Sequence, residues 1–160
     1  MAVDVIIEDQ RWEKAGLAAL GTQAVAATLS HLGLKADDWE VSLLGCNDAR
    51  ITVLNTDFRA KPQATNVLSW PSAERGAEKE GQTPDLPSGD PELGDIAMAF
   101  ETCKREAAEL GWPHEHHILH LIVHGMLHLL GYDHERNGDG DLMESQETAI
   151  LKGLGVPDPY

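Results

Sequence analysis

The stretch from Pro113 to Leu130 reads as a helix that is apolar on nearly every side. Pro113 suits a first helical turn, and Glu115 favours the same end. A helix without a polar face has to be enclosed by other elements. It is therefore expected as the central buried helix, with the rest of the chain wrapped round it. Its apolar part, Ile118 to Leu130, falls short of the roughly 20 residues that a membrane span needs. It is also interrupted by His120, His124 and His128.

The flanking segments supply what could enclose such a helix. Val3–Ile7 is short and β-branched and predicts a first strand. Ala15–Leu32 carries alanine and leucine at helical spacing, with Gly33 as C-cap. Glu40–Leu44 and Arg50–Leu54 predict two strands, joined by a hairpin turn over Gly45-Cys46-Asn47-Asp48. Asn66–Trp70 predicts another strand, ended by Pro71, and Asp95–Phe100 a last one. Thr102–Leu110 and Leu142–Leu151 predict helices, the first broken at Gly111-Trp112-Pro113 and the second closed by Gly153. Strands early and helices late predict an α+β fold, a small mixed β-sheet packed with helices. No internal repeat is present. The segment 72–94 is built from Gly, Pro, Ser, Glu and Asp and predicts a solvated, mobile loop, with a functional lid as its alternative role.

The chain has 160 residues and 42% hydrophobic content, which predicts a single domain over 1–160 with a true core. The formal charge of -15 argues against a broad basic nucleic-acid face but leaves room for a local basic groove. The candidates for such a groove are Arg50, Arg59, Lys61 and Arg136. Cys46 and Cys103 lack CxxC spacing and read as buried thiols in a reducing compartment. The N-terminus has no basic start followed by an apolar run, so no secretory signal is read. A cytoplasmic protein is expected.

His124, His128 and His134 stand at offsets of four and six, with Gly131 in the second gap. Residues four apart on a helix share one face, so His124 and His128 can approach one ion together. Gly131 can take positive φ, end the helix and turn the chain so that His134 comes back toward the same point. The zinc-peptidase signature H-E-x-x-H-x-x-G-x-x-H uses the same offsets. The competing reading, buried histidines that satisfy one another, suits a lone imidazole better than three round a helix-ending glycine. His120 extends the helical row and reads as a packed core histidine, or else as a group behind the ligands or facing the substrate. His114, His116 and His117, near a helix start, read as ordinary surface histidines, and His31 as an ordinary helix-end histidine.

One position departs from the peptidase pattern. Gly125 stands where the signature has its glutamate, so that turn offers no general base. An amide needs proton delivery to its leaving nitrogen, which demotes peptide cleavage. A metal acidifies its bound water and polarises a substrate oxygen, and phosphodiester cleavage suits those tools if a cation neutralises the phosphate. Two other readings stay open. One is a zinc metallopeptidase that draws a carboxylate from Asp133 or Glu135. The other is a non-catalytic protein whose metal only staples the fold.

Three segments carry a resemblance: Leu54-Asn55-Thr56-Asp57-Phe58-Arg59, Thr65-Asn66-Val67-Leu68-Ser69-Trp70-Pro71, and His124 to His134. Together they resemble the YbeY family of bacterial metal-dependent endoribonucleases, and the likeness runs from about Glu40 onward. The ending Gly155-Val-Pro-Asp-Pro-Tyr160 also looks like the family's C-terminus. The resemblance implies His124, His128 and His134 as metal ligands for one zinc ion, other divalent transition metals being compatible. It implies that Arg59, matching the family's strand-edge arginine, serves catalysis or RNA binding. It further implies single-strand-specific cleavage in ribosomal RNA maturation, at the 16S rRNA 3′ end, and in ribosome quality control. The partners implied are precursor rRNA and the small ribosomal subunit, with no DNA and no membrane. Asn66 and Trp70 depart from the family's usual aspartate and phenylalanine.

Overall fold

The computed structural model describes residues 2–160. Four strands form one mixed sheet: β1 (Ala2–Ile7), β2 (Glu40–Cys46), β3 (Val67–Pro71) and β4 (Glu92–Ala99), in the order β1-β2-β4-β3. β1, β2 and β4 run parallel, and β3 closes the edge antiparallel to β4. The helices are α1 (Arg11–Lys14), α2 (Leu17–His31), α3 (Asp48–Arg59), α4 (Phe100–Leu110), α5 (His114–Leu129) and α6 (Asn137–Gly153). The α+β class with a small mixed sheet is as expected.

The period-two alternation of the strands divides the core. Val41, Leu43, Ile96 and Met98 face the large cluster, which holds Leu17, Val25, Leu29 and the apolar residues of α5. Cys46, Leu68, Ala97 and Ala99 face the opposite side, where Ile51 of α3 packs among them. Helix α5 touches α2, α4, α6, β3 and β4. Ile118, Ile122, Val123, Met126, Leu127 and Leu129 on it are fully buried, as its all-round apolar character requires. Cys46 and Cys103 are free and buried, and burial pushes both thiols up to about 12.

One expected element has the wrong type. Arg50–Leu54 is the middle of helix α3, and there is no hairpin after β2. The β-branched run Ile51-Thr52-Val53 favours a strand, but local capping overrides it. The Asn47 side chain accepts the Arg50 N–H at 2.8 Å, and Asp48 sits in the positive first turn. Ile51 and Asn55 then share one buried face. Arg59 consequently lies in the last turn of this helix and not on a strand edge.

The polar segment 72–94 is mostly exposed but tied down at its start. The Arg75 guanidinium donates to the Leu129 carbonyl at 2.8 Å and to the Leu93 carbonyl at 3.3 Å. Arg136 donates to the carbonyls of Ala77 and Glu78. Among the described residues, no helix is long and apolar enough to cross a membrane.

The first turn of α5 departs from expectation too. His117 is buried and its Nε2 bonds Glu106 at 2.9 Å, so it is not a surface histidine. His114 is half-buried, its ring beside those of Trp12 and Phe100. Burial lowers the pKa of both imidazoles, against the pull of Glu106 in the case of His117. The unfolded chain therefore binds protons that the folded chain refuses, and stability rises with pH across this window. It is complete above the ordinary imidazole value of 6.5 and is lost as pH falls below it. The urea midpoint is expected to drop between pH 7 and pH 5.5. His114→Asn should make that drop smaller.

Candidate metal centre

How closely α5 approaches the sheet fixes which way its histidines point. A Cβ built on Gly125 would stand 3.2 Å from Cδ1 of Ile96 on β4. The helix therefore rests on the sheet at Gly125, and Ile96 itself is 1% exposed. His124 and His128 are half-buried and line a cleft. A glutamate at position 125 would point into the apolar layer, away from that cleft. The missing general base is thus also a packing requirement.

Gly131 ends the helix as expected, with φ +100. A Cβ there would lie 2.4 Å from the Arg75 carbonyl oxygen, so the turn and the start of the polar segment interlock. The turn brings His134 back. The candidate ligand nitrogens of His124, His128 and His134 all lie within 4.8 Å of one another. Their ring centroids are 4.6, 5.5 and 5.2 Å apart.

The partners of these rings decide what they offer. His128 donates from Nδ1 to the Tyr132 carbonyl at 3.0 Å. His124 donates from Nδ1 to the Glu147 carboxylate. Both Nε2 atoms are thereby left as lone-pair acceptors, and they face each other at 3.0 Å. Two acceptors that close repel unless a cation stands between or beside them. Burial, with His124 and His134 nearby, lowers His128 to about 4, so His128 itself does not carry a second proton at neutral pH. A metal ion fits the donor set, and the carboxylate and carbonyl behind the rings are the usual orienting groups for metal-bound imidazoles. Among the described residues, the cluster that could hold an ion contains these three histidines.

Glu147 was not visible as a site residue from composition or motif. It is a carboxylate with 0% exposure on α6, in the same stripe as Met143, Ile150 and Leu151. An acidic residue inside an apolar i, i+4, i+7 stripe is the signal that could have found it. Burial alone would raise its pKa, but bonds from His120, His124 and Tyr160 outweigh that and hold it at about 2. His120 donates to it from Nε2 at 3.2 Å. Tyr160 donates its hydroxyl to the same carboxylate, fastening the C-terminal segment to the back of the centre. His120 is thus in the layer behind the three histidines. His31 bonds Gln146 of α6 at 2.8 Å.

The cleft in front has a volume of about 840 Å³. It runs from the three histidines along edge strand β3 to Phe58 and Arg59, with Arg75 and Arg136 on its wall. Arg59 is exposed, and its guanidinium has no ion-pair partner among the described residues. Arg136 is spent on Asp139 and the polar segment. Of the other candidates for a basic groove, Arg50 pairs with Glu8 at 3.4 Å and does not line the cleft. Lys61 does not line it either. Glu74, Glu78, Asp133, Glu135 and Asp139 do, so the cleft is not a basic groove. Asp133 accepts the His134 N–H at 2.7 Å and so shapes the turn. Asn66 accepts from the Val67 N–H and donates to Glu106 at 3.0 Å. An uncharged amide can fill both roles.

Fold and centre together define a small α+β protein with three convergent imidazoles at one end of an open cleft. The solution structure of a Thermotoga maritima protein shares the fold, with a TM-score of 0.63, 22% identity, and coverage of 95% of this chain and 88% of that one. The family model described as Endoribonuclease YbeY matches residues 4–155. Proteins of that name from Jannaschia sp. and Cereibacter sphaeroides are similar throughout. The first is 55% identical over 100% of both chains. The second is 58% identical over 99% of this chain and 98% of its own. The chain belongs to the YbeY endoribonuclease family. That makes it a member of an enzyme class of RNA hydrolases.

Two outcomes follow from the centre's construction. Glu147→Ala should weaken divalent-metal affinity by about 10–100-fold, read by chelator competition, because His124 loses its orienting acceptor. Gly125→Glu should lower stability by roughly 3 kcal/mol or more in urea unfolding, since it overfills the contact with Ile96 and buries a carboxylate. It should confer no peptidase activity on casein.

Proposed function

We propose that this chain is a metal-dependent endoribonuclease specific for single-stranded RNA. His124, His128 and His134 hold one divalent ion, and Arg59 engages the phosphate. The observation that carries this reading is the pair of lone-pair nitrogens 3.0 Å apart beside His134, opening on a cleft that ends at an unpaired guanidinium. Three imidazoles suit zinc, and nickel, copper and iron remain compatible with them. When bound, such an ion acidifies water and polarises a phosphoryl oxygen.

The chain's own groups do the rest. Glu147 and the Tyr132 carbonyl hold two of the imidazoles in the tautomer that presents Nε2. Arg59 offers a planar fork to two phosphate oxygens and offsets charge that builds up there. Gly125 supplies no acid for an amide nitrogen, which favours a phosphodiester over a peptide. Asp133 is engaged in the His134 turn, which weakens its candidacy as a peptidase base. Three protein donors, and not the four of a closed structural site, favour a catalytic over a stapling role.

The cellular setting proposed is the cytoplasm, with precursor rRNA and the small ribosomal subunit as partners. The task proposed is maturation of the 16S rRNA 3′ end and ribosome quality control. Family membership and the cleft that ends at Arg59 support it.

Metal-replete protein is expected to cut single-stranded RNA and to stop on addition of chelator. His128→Ala should abolish cutting, and Arg59→Ala should reduce kcat/KM by about 100-fold, the scale for removing one stabilising donor. Arg59 and Arg75 line the cleft without a carboxylate partner among the described residues, and five acidic residues line it with them, so the slope of log affinity against log salt should be shallow, about −1 to −2. Intact RNA after incubation with zinc-loaded wild type would overturn the reading.

A further inference from the structure

We propose that Phe58 and Trp70 form a stacking subsite for one unpaired nucleobase, in the cleft that the histidines also line. This inference rests on the RNA-cleaving reading above and deepens it. Ile51, Asn55 and Phe58 occupy i, i+4 and i+7 of α3 and share one face. Ile51, packed on the sheet, and Asn55, bonded to the Gln63 carbonyl, are buried, at 0% and 2% exposure. Phe58 comes one turn later, where the sheet has ended at edge strand β3, and is 64% exposed.

Phe58 belongs to neither hydrophobic cluster, so core packing does not explain it. Among the described residues its aromatic neighbour is Trp70 on β3, edge-on at 5.4 Å between centroids and 71° between planes. Trp70 packs against the smaller cluster and is thereby braced. The pair gives a fixed aromatic corner that opens into the same cleft as His124 and His128.

The chemistry beside the corner selects the occupant. Arg59 follows Phe58 directly, exposed and without an ion-pair partner among the described residues. A flat π-face next to a free guanidinium fits a nucleotide, with the base on the ring and the phosphate on the cation. An apolar protein side chain would leave the guanidinium unused. A base inside a duplex has both faces covered by its neighbours, so only an unstacked one can enter. The corner thus gives single-strand preference a physical source, independent of the metal.

The test uses the full-length protein. Binding of a fluorescein-labelled single-stranded oligoadenylate is followed by anisotropy in chelator, and its cleavage is followed in zinc. Phe58→Ala is expected to weaken binding about 10-fold, to raise KM, and to leave thermal stability unchanged at so exposed a position. Phe58→Tyr should restore the affinity. A single abasic nucleotide, scanned along the strand, should at one position weaken the wild type as much as Phe58→Ala does, with no further loss when the two are combined.

Wild-type affinity and KM in Phe58→Ala, with RNA still cut by the wild type, would overturn the subsite and leave the nuclease reading standing. A wild type that neither binds nor cuts RNA would overturn both. Unchanged RNA affinity in Phe58→Ala with loss of a protein contact would reassign the corner to a protein partner and overturn the inference.

Discussion

Contact between Gly125 and Ile96 sets the geometry of this molecule. Because position 125 has no side chain, α5 settles against β4 and fixes its own rotation about its axis. The buried face of α5 then meets the sheet and α2, while His120, His124 and His128 point toward α6 and the cleft. Glu147 on α6 is placed to receive His120 and His124, and the Gly131 turn returns His134 to His124 and His128. A bulkier residue at 125 would disturb the centre, the sheet contact and the α5–α6 interface together.

The centre is organised in depth. In front, three nitrogens converge on one point. Behind them, Glu147 takes hydrogen bonds from two imidazoles and a tyrosine, and the Tyr132 carbonyl takes a third imidazole. A buried carboxylate is costly unless it is fully bonded, and this one is. Its orientation is therefore set before any ion arrives, so less has to be ordered on binding.

Much of this was legible in the sequence, for identifiable reasons. The all-round apolar helix announced the centre of the fold, and its histidine offsets with Gly131 announced the convergence. Arg50–Leu54 reads as a strand in the sequence because its β-branched residues favour one, whereas the Asn47 cap, a weaker local signal, makes it a helix. Arg59 was named by resemblance, and only the structure put it at the end of a helix. Glu147 and Tyr160 escaped because their roles depend on packing between α5, α6 and the chain's last residues, which local pattern does not encode. His117 escaped likewise, since its burial depends on Glu106 from a neighbouring helix.

The segment between β3 and β4 holds two unlike stretches in one connection. Its first part is clasped by Arg75, Arg136, Gly131 and Gly138. Most of its distal part, from Asp85 to Asp90, is exposed. Adding residues to such a tip costs only a slowly growing closure entropy. Mutational drift in length can therefore accumulate at the tip, while the clasped part keeps its spacing to the histidines. Within one loop, evolutionary freedom and mechanical constraint are separated by a few residues.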